Sequence, residues 1–276
     1  MIMQIIKASG KKEEFEPLKI QNTIMQAGAS EKLAKDVLKK ILDEYKDKNK
    51  VKSKVILNKI IDLLQEKNPD IAARYDLKRA IMNLGPSGFP FEVYFSKILE
   101  NHGYQVKVGQ ILQGKNITQE VDIAAENKLR YMIECKYHNK LGIHTKVNVA
   151  MHAYARFLDL KNQFDYPWLA TNTKCTTDLI SYANGINMKI TSWQYPKKEN
   201  LKALIEEKAL YPITIIRSID ENSKQKLHDA KIVLVKDLAL YDIEELKIKT
   251  KLSKETLKII LKEAKIICKF RGDKNE

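Results

Sequence analysis

A pair of alternating segments near the middle of the chain constrains the fold most strongly. Residues 120–123 (EVDI) and 133–136 (IECK) both alternate polar and apolar side chains, which is the two-residue period of β-strands. Asn127 and Lys128 lie between the two segments and can form the turn of a hairpin. We therefore predict two antiparallel strands joined by a short turn.

Two carboxylates and one lysine share a face of this predicted hairpin. Side chains two positions apart on a strand share a face, so Glu134 and Lys136 project together while Cys135 points towards a core. Pairing of the strands brings Asp122 beside Glu134. Mg²⁺ is often held by one or two carboxylates and a substrate phosphate, so the pattern fits metal-assisted hydrolysis of a phosphodiester. On its own, the pattern is more typical of a solvent-facing strand pair with a cross-strand salt bridge, and only its context on both sides favours the metal site.

Charge and cysteine content narrow the class of protein. The chain has 276 residues and a formal net charge of +14, spread along its length, which favours a polyanionic partner. The alternative is a solvated, lysine-rich surface. The three cysteines, Cys135, Cys175 and Cys268, are scattered, which argues against a disulfide framework or a zinc site. The chain lacks both a signal-peptide pattern and the ~18-residue apolar run of a membrane helix. We expect a cytoplasmic protein with no membrane partner.

The order of helix and strand signals divides the chain into three parts. Residues 1–85 predict a mainly helical domain that begins with a β-hairpin. Residues 85–88 (GPSG) look like a domain boundary. An αβββαβ core is predicted over residues 86–200, and a helical module over 201–276. The predicted fold class is therefore a multidomain α/β protein.

The first part has clear element signals. A strand is predicted over residues 2–7, a turn over 9–11 and a returning strand over 13–15. Pro17 opens a helix that runs to about Gln26, and a second helix follows from Ser30 to about Tyr45. Residues 46–52 predict a charged loop. Ser53 is predicted to cap a third helix, and a fourth follows residues 68–70 and runs to about residue 84.

This first part resembles the ATP-cone, a regulatory nucleotide-binding domain, over about residues 2–85. The resemblance is carried by Ile5, Ile6, Lys7, Gly10, Phe15, Lys19, Ile20, Tyr75, Leu77, Arg79, Ala80 and Ile81. It implies that Lys7 and Lys19 meet the phosphates of a nucleoside triphosphate, while Gly10, Glu13 and Phe15 frame the site. The implied ligand is ATP or dATP, bound as an allosteric effector and not hydrolysed. One departure is Ala8, where the family usually has arginine or lysine.

A second glycine-containing segment has the spacing of a P-loop. Gly109 and Gly114-Lys115 match that spacing, but Asn116 replaces the Ser or Thr that would hold Mg²⁺. A P-loop must also open a helix whose N-terminus meets the phosphates, whereas Asn116 leads into the predicted Asp122 strand. We therefore predict a turn that connects two strands.

The central part resembles the Mrr-like restriction endonucleases of the PD-(D/E)xK nuclease superfamily over about residues 88–195. Its predicted order is one helix, three strands, a helix and a strand, and the resemblance is carried by Phe91, Glu92, Ile98, Leu99, Gly103, Tyr104, Val106, Val121, Asp122, Ile123, Glu134, Cys135 and Lys136. It implies that Asp122 and Glu134 are the principal ligands of Mg²⁺ (or Mn²⁺), with Glu92 as an accessory carboxylate. Lys136 would orient or deprotonate the attacking water. The family often places a glutamine on the next helix, where this chain has residues 152–156 (HAYAR).

The last part, over about residues 222–268, resembles helix-hairpin-helix DNA-binding repeats. Those hairpins use glycine so that backbone N–H groups can approach a phosphate. Lys231 and Lys251 stand where glycine is expected. A helical dimerisation or packing module is the alternative.

These features together predict a Mg²⁺-dependent DNA endonuclease that acts on double-stranded DNA, is regulated by ATP or dATP and forms a homo-oligomer. Restriction of foreign DNA is the expected role. Two alternatives stay open: a nucleotide-responsive DNA-binding protein without catalysis, and a structure-specific repair nuclease.

Overall fold

The computed structural model describes residues 3–7, 10–140 and 142–272. Residue 2 of the predicted first strand, Ser9 of the predicted turn and Ala8 lie outside the described residues. The chain forms two compact units. The first contains the chain up to Lys78 together with the segment from Lys265, and the second contains Arg79 to Ala264.

The first unit combines a small sheet with a set of helices. Strands pair in the order β2-β1-β3, with β2 antiparallel and β3 parallel to β1. The helices bury one apolar face each, and Ile24, Ile41, Ile60 and Leu64 are nearly or fully inaccessible to solvent. The elements are β1 (Gln4–Ile6), β2 (Lys12–Glu14), α1 (Pro17–Gln26), α2 (Glu31–Tyr45), β3 (Lys50–Lys52), α3 (Ser53–Lys67) and α4 (Pro69–Met82).

Local sequence signals account for most of these boundaries. Pro17 is the first residue of α1, where its fixed φ and missing N–H are tolerated. The Ser30 hydroxyl accepts a hydrogen bond from the Leu33 N–H and caps α2. Two predictions about this unit are wrong, one about a helix cap and one about a loop. The first concerns Ser53, which is the first residue of α3 and does not cap it; Lys52 is the N-cap, without a side-chain hydrogen bond.

The second wrong prediction concerns the charged loop at residues 46–52, because Lys50–Lys52 forms β3. Only Val51 of this segment is apolar and buried. The segment is extended because it pairs with β1, where Val51 lies opposite Ile5. This pairing is between residues far apart in sequence, so the local pattern gives no sign of it.

The second unit is built around a five-stranded mixed sheet with the order β10-β8-β6-β5-β4. Strands β4, β5 and β6 form an antiparallel meander, while β8 runs parallel to β6 and β10 parallel to β8. The order of elements around this sheet agrees with the predicted order of helix, three strands, helix and strand. The elements are α5 (Phe89–Asn101), β4 (Gln105–Gln113), β5 (Thr118–Glu126), β6 (Arg130–Lys136), β7 (His144–Thr145), α6 (Val147–Asp159), β8 (Tyr166–Thr171), β9 (Lys174–Cys175), α7 (Thr177–Gly185) and β10 (Lys189–Thr191).

Helix α5 carries a fully buried apolar face that fixes its position. Phe91, Tyr94 and Phe95 are inaccessible to solvent, and the Phe95 ring meets the Trp168 ring edge-on at 5.9 Å between centroids. The Tyr94 hydroxyl donates a hydrogen bond of 2.7 Å to the Leu210 carbonyl. Because buried aromatic side chains dominate core energetics, α5 is held in one orientation relative to the strands.

The segment with P-loop spacing begins inside β4 at Gly109 and ends in the turn that connects β4 to β5, so the predicted turn is present at its end, from Gly114. The Asp159 carboxylate, at the end of α6, accepts hydrogen bonds from the Asn116 N–H at 2.7 Å, the Ile117 N–H at 3.3 Å and the Gln119 amide at 2.9 Å. Gly114 lies close to the Asp159 carboxylate and the Ile117 carbonyl. The segment therefore opens a strand, without the helix that a phosphate-binding loop requires.

The rest of the chain is helical, as predicted. It contains α8 (Leu201–Lys208), a short 3₁₀ turn (Ile213–Ile215), α9 (Glu221–Asp229), α10 (Val235–Leu240), α11 (Ile243–Thr250) and α12 (Lys254–Gly272). Lys231 follows α9 with φ +58° and Lys251 follows α11 with φ +55°. Both lysines thus adopt the left-handed conformation that favours glycine. Among the described residues, no helix is both long and apolar enough to cross a membrane.

Candidate functional site

Three carboxylates reach one patch from three different elements of the second unit. Glu92 lies in the first turn of α5, and Asp122 and Glu134 lie on the adjacent strands β5 and β6. Ile123 pairs with Ile133, so the antiparallel register puts Asp122 next to Glu134. The structure therefore brings together the three acidic residues predicted from the sequence.

The pKa values of two of these carboxyls are strongly raised. Burial raises the pKa of Glu92 to about 7, and the charges of Asp122, Glu120 and Glu134 act in the same direction. Burial, followed by the charge of Asp122, also raises the pKa of Glu134 to about 7. Burial is the larger cause of both shifts, and the neighbouring negative charges add to it. Clusters of this kind are characteristic of functional sites.

Asp122 is held by the backbone of the neighbouring strand. Its carboxylate accepts a hydrogen bond of 2.7 Å from the Cys135 N–H. Burial raises the pKa of Asp122, while this hydrogen bond and the charge of Arg156 oppose the increase. The hydrogen bond uses one carboxylate oxygen and orients the group, which fixes the direction of the remaining lone pairs.

Arg156 is a member of the site to which sequence reasoning assigned no role. It projects from α6, and its Nη1 lies 2.5 Å from Glu134 Oε2. The side chains of Arg156 and Glu134 are 31% and 21% exposed, respectively. Arginine beside a carboxylate normally lowers the pKa of that carboxyl. At Glu134 this effect is outweighed by burial and by Asp122, so the pKa is raised overall.

The patch keeps a negative charge after its own cations are counted. Glu120 lies two residues before Asp122 on β5, and its charge acts on all three carboxyls. Lys136 ends β6, as predicted, and its charge acts on Asp122 and Glu134. Four carboxylates against two cations leave a formal charge of −2 when all six groups are ionised. This local charge has the opposite sign to the net charge of the whole chain, which is +14.

Gly109 leaves space beside Asp122. The register of β4 and β5 pairs Val108 with Ile123 and Gln110 with Val121, which puts Gly109 opposite Asp122. Gly109 has φ +63°, and no atom lies within 4 Å of the position that a Cβ would take. A glycine inside a strand often marks a close approach of a ligand or another backbone. Sequence reasoning considered Gly109 only as part of a phosphate loop and missed this role.

The carboxylate oxygens of the patch suit a hard divalent cation only if water or substrate supplies the remaining ligands of the metal ion. Over residues 3–7, 10–140 and 142–272, no three His, Cys, Asp or Glu side chains are arranged so that they could hold a metal ion by themselves. Mg²⁺ usually keeps several waters and takes one or two carboxylates. Asp122 and Glu134, adjacent on the sheet, fit that requirement, with Glu92 nearby on α5.

The first unit contains a separate pocket of about 190 Å³. Four of the five residues predicted to bind a nucleotide line it: Lys7, Glu13, Phe15 and Lys19. Gly10 is not among the lining residues. It forms the turn between β1 and β2, with φ +82°. Small-molecule sites typically measure ~300–1,000 Å³, so this pocket can enclose only part of a nucleoside triphosphate.

Ion pairs occupy the rim of this pocket. Lys7 Nζ lies 3.2 Å from Glu13 Oε2, and Lys19 Nζ lies 3.7 Å from Glu16 Oε1. The Lys7 side chain, hydrogen-bonded to Glu13, lowers the pKa of that carboxyl. The Lys7 side chain is partly exposed and the Lys19 side chain is largely exposed, and ion pairs open to solvent are worth ~0–1 kcal/mol. An incoming phosphate group can therefore displace the glutamates at small cost.

Tyr75 and Ser53 also line the pocket, although neither was predicted from the sequence to belong to the nucleotide site. Tyr75 comes from α4, and burial raises its pKa to about 12. Ser53 is the first residue of α3. Tyr75 belongs to the residues that carry the ATP-cone resemblance, and this was the signal that could have identified it.

Comparison with known proteins defines the class of the first unit. Residues 3–83 match the sequence model of the ATP cone domain family. The N-terminal part of the chain is therefore an ATP-cone domain, as predicted, and this class suggests regulation by a bound nucleotide.

The rest of the comparison identifies the family of the chain. Residues 211–268 match the model described as AF1548-like, C-terminal. An uncharacterized protein of Archaeoglobus fulgidus is 40% identical over 174 residues, covering 62% of this chain and 99% of that protein. A solved structure titled as a protein of unknown function, AF1548, is 39% identical with a TM-score of 0.60, covering 65% of this chain and 97% of that one. The chain belongs to the AF1548-like family.

Proposed function

We propose that the second unit is a metal-dependent nuclease that hydrolyses DNA phosphodiesters, and that nucleotide binding to the ATP-cone regulates it. One observation carries the proposal. Glu92, Asp122 and Glu134 reach one patch from a helix and two strands, and burial raises the pKa of each carboxyl. The charge of Asp122 raises the pKa of Glu92 and of Glu134 further. Partly buried negative charge gathered at one point of a basic protein supports the proposal of a cation site.

The residues of the patch have distinct tasks in this proposal. Asp122 and Glu134 are the principal ligands of Mg²⁺, and Glu92 supports them from α5. Bound there, Mg²⁺ would neutralise charge on the scissile phosphate and make a bound water more acidic. Lys136 orients the attacking water. The water oxygen forms a bond to phosphorus, the bond from phosphorus to the leaving oxygen breaks, one proton goes to solvent, and the leaving oxygen takes a proton from solvent.

The open space at Gly109 supports a large, phosphate-containing substrate. No side chain covers Asp122 from the adjacent position of β4, so a sugar-phosphate backbone can approach. The chain's net charge of +14 favours nucleic acid because neutralised phosphates release counterions.

The last helices support contacts with the DNA backbone. Lys231 and Lys251 have positive φ at two turns between helices, where helix-hairpin-helix repeats use glycine. The backbone conformation is therefore the one expected of such hairpins, although the side chains are not. Backbone N–H groups at these turns, with lysine beside them, would bind phosphates without reading sequence.

An end-labelled duplex tests the nuclease directly. We expect wild-type protein to cleave the duplex with Mg²⁺ or Mn²⁺ and to lose activity in excess EDTA. Asp122→Asn should reduce the cleavage rate by about 10²-fold or more, since removal of an electrostatic stabiliser typically costs that much. Glu126→Gln is the matched control because Glu126 lies on the same strand, exposed and at its end.

Equal rates for wild type and Asp122→Asn would contradict the assignment of the site. If neither protein cleaves DNA but both bind it in an ATP-dependent manner, the protein is a nucleotide-responsive DNA-binding protein without catalysis. Comparison of linear duplexes with branched substrates, and of methylated with unmethylated DNA, separates repair from restriction.

A binding titration tests the nucleotide pocket. We expect ATP or dATP to bind the wild-type protein, and Lys19→Ala to weaken binding about tenfold through loss of a phosphate contact. Lys35→Ala is the control, since Lys35 lies on α2, paired with Glu31 and outside the pocket lining. Equal affinities of the two variants would contradict the assignment of Lys19.

A further inference from the structure

Arg156 makes the shortest ion pair with the carboxylates of the patch. Its Nη1 lies 2.5 Å from Glu134 Oε2, and about two thirds or more of both side chains is covered. The guanidinium thus covers Oε2, one of the two oxygens that Glu134 can offer to a metal ion. Arginine and a divalent cation cannot lie there together without strong repulsion, because like charges at ~4–6 Å oppose each other.

Charge balance gives the arginine a reason to lie there. Without a metal ion, Glu134 and Asp122 are partly buried, adjacent negative charges, and a charge removed from water needs a partner. The charges of Arg156 and Lys136 both act on these two carboxylates, and Arg156 contacts Glu134 directly. When a divalent cation binds, the metal ion neutralises these carboxylates, and Glu134 no longer needs the guanidinium as its positively charged partner.

The position of Arg156 offers it a second partner. Helix α6 packs on β6 and β8 beside the patch, and any phosphate bound at Asp122 and Glu134 brings anionic oxygens to the same place. Guanidinium is planar and binds phosphate oxygens through two parallel hydrogen bonds. Its long, flexible stem allows it to move between partners without a shift of the backbone.

We propose that Arg156 is an exchangeable counter-ion. It holds Glu134 while the metal site is empty, and it turns to a phosphate of the bound nucleic acid when a divalent cation takes its place. This inference rests on the proposed nuclease function and deepens it, since it makes metal binding and substrate binding cooperate through one side chain.

Binding measurements without turnover test this exchange. Free Mn²⁺ is measured by electron paramagnetic resonance during titration of the full-length protein at about pH 8.5, where carboxyls with pKa about 7 are ionised. We expect Arg156→Gln to bind Mn²⁺ about tenfold more tightly than wild type. In Ca²⁺, used to support binding of a labelled duplex, the same variant should bind DNA about tenfold more weakly.

In Arg156→Gln the affinity for Mn²⁺ should rise and the affinity for DNA should fall. These opposite changes distinguish a counter-ion that moves between partners from an arginine that only stabilises the fold. A variant that only damages the fold weakens both kinds of binding. Arg130→Gln is the matched control, because Arg130 also lies on the sheet and pairs with Asp165 at 2.9 Å, but outside the patch. It should bind Mn²⁺ and DNA as wild type does. Arg156→Lys keeps the positive charge but loses the planar, two-pronged guanidinium. We expect it to bind Mn²⁺ more tightly and DNA more weakly than wild type, each by less than Arg156→Gln does.

The outcomes distinguish this inference from the proposed function. If wild type binds Mn²⁺ and cleaves DNA, but Arg156→Gln and Arg156→Lys bind Mn²⁺ no more tightly, Arg156 is not exchangeable and the nuclease proposal stands. If wild type binds neither Mn²⁺ nor DNA, both proposals are wrong. If Arg156→Gln fails to fold, the sign of the two changes in Arg156→Lys decides.

Discussion

At the scale of single residues, the buried carboxyls determine how the protein responds to pH. Glu92 has an ordinary pKa of 4.5 and a raised pKa of about 7 in the folded protein. Between these two values the folded state binds more protons than the unfolded state. The free energy of unfolding therefore falls as the pH rises from about 4.5 to 7, and the full penalty is present above pH 7.

Replacement of Glu92 by glutamine removes this penalty. In EDTA we expect Glu92→Gln to raise the Tm at pH 8 by a few degrees, because a change of ~1 kcal/mol shifts the Tm of a domain of this size by about 2–4 °C. At pH 4.5 the difference should vanish. Thermal unfolding followed by circular dichroism measures both values.

Glu100→Gln is the control for this substitution. Glu100 lies on the same helix, near the surface, and pairs with Lys97 at 2.7 Å, so its replacement should lower the Tm slightly. A Tm for Glu92→Gln at pH 8 equal to or below that of wild type would contradict the assignment of a buried, charged Glu92.

At the scale of elements, alternation and capping signals predict most of the fold. The alternating segments of residues 120–123 and 133–136 form β5 and β6, and Pro17 and Ser30 begin their helices as expected. Strand β3 was missed because it depends on pairing with β1. The positions of Gly109 and Arg156 depend on register and helix packing, which a single sequence does not report.

The turn between β4 and β5 gives a prediction at this scale. Gly114→Ala should lower stability by ~1–3 kcal/mol, because its Cβ would lie 2.7 Å from the Ile117 carbonyl oxygen and against the Asp159 carboxylate. Gly185→Ala is the control, since no atom lies within 4 Å of its Cβ position. Urea unfolding measures both variants. Equal loss of stability in the two would contradict the tight packing of the turn.

At the scale of the whole molecule, the family comparison and the residue chemistry support different parts of the account. The ATP-cone domain is established by residues 3–83. Residues 211–268 match the AF1548-like family, whose name carries no activity, so the nuclease assignment depends on the carboxylate patch. The division of the chain into domains of residues 1–85, 86–200 and 201–276 stays a prediction. The cytoplasmic location and the homo-oligomer also stay predictions.

Regulation of the second unit by the ATP-cone requires that ATP and DNA affect each other's binding. We expect ATP to change the Kd for DNA by about 5–150-fold, the usual range of allosteric coupling, and DNA to change the Kd for ATP by the same factor, since coupling is reciprocal. Fluorescence anisotropy in Ca²⁺ gives the first value and calorimetry the second. Unchanged affinities would mean that the ATP-cone does not act on DNA binding.

The most direct test of the central claim is the nicking of supercoiled plasmid by wild type and Lys136→Ala, with Mg²⁺, in the presence and absence of ATP. We predict that the wild type nicks or linearises the plasmid and that Lys136→Ala is slower by about 10²–10⁴-fold, with ATP altering the wild-type rate. If neither protein cuts methylated or unmethylated plasmid with any divalent metal, with or without nucleotide, the nuclease account is wrong.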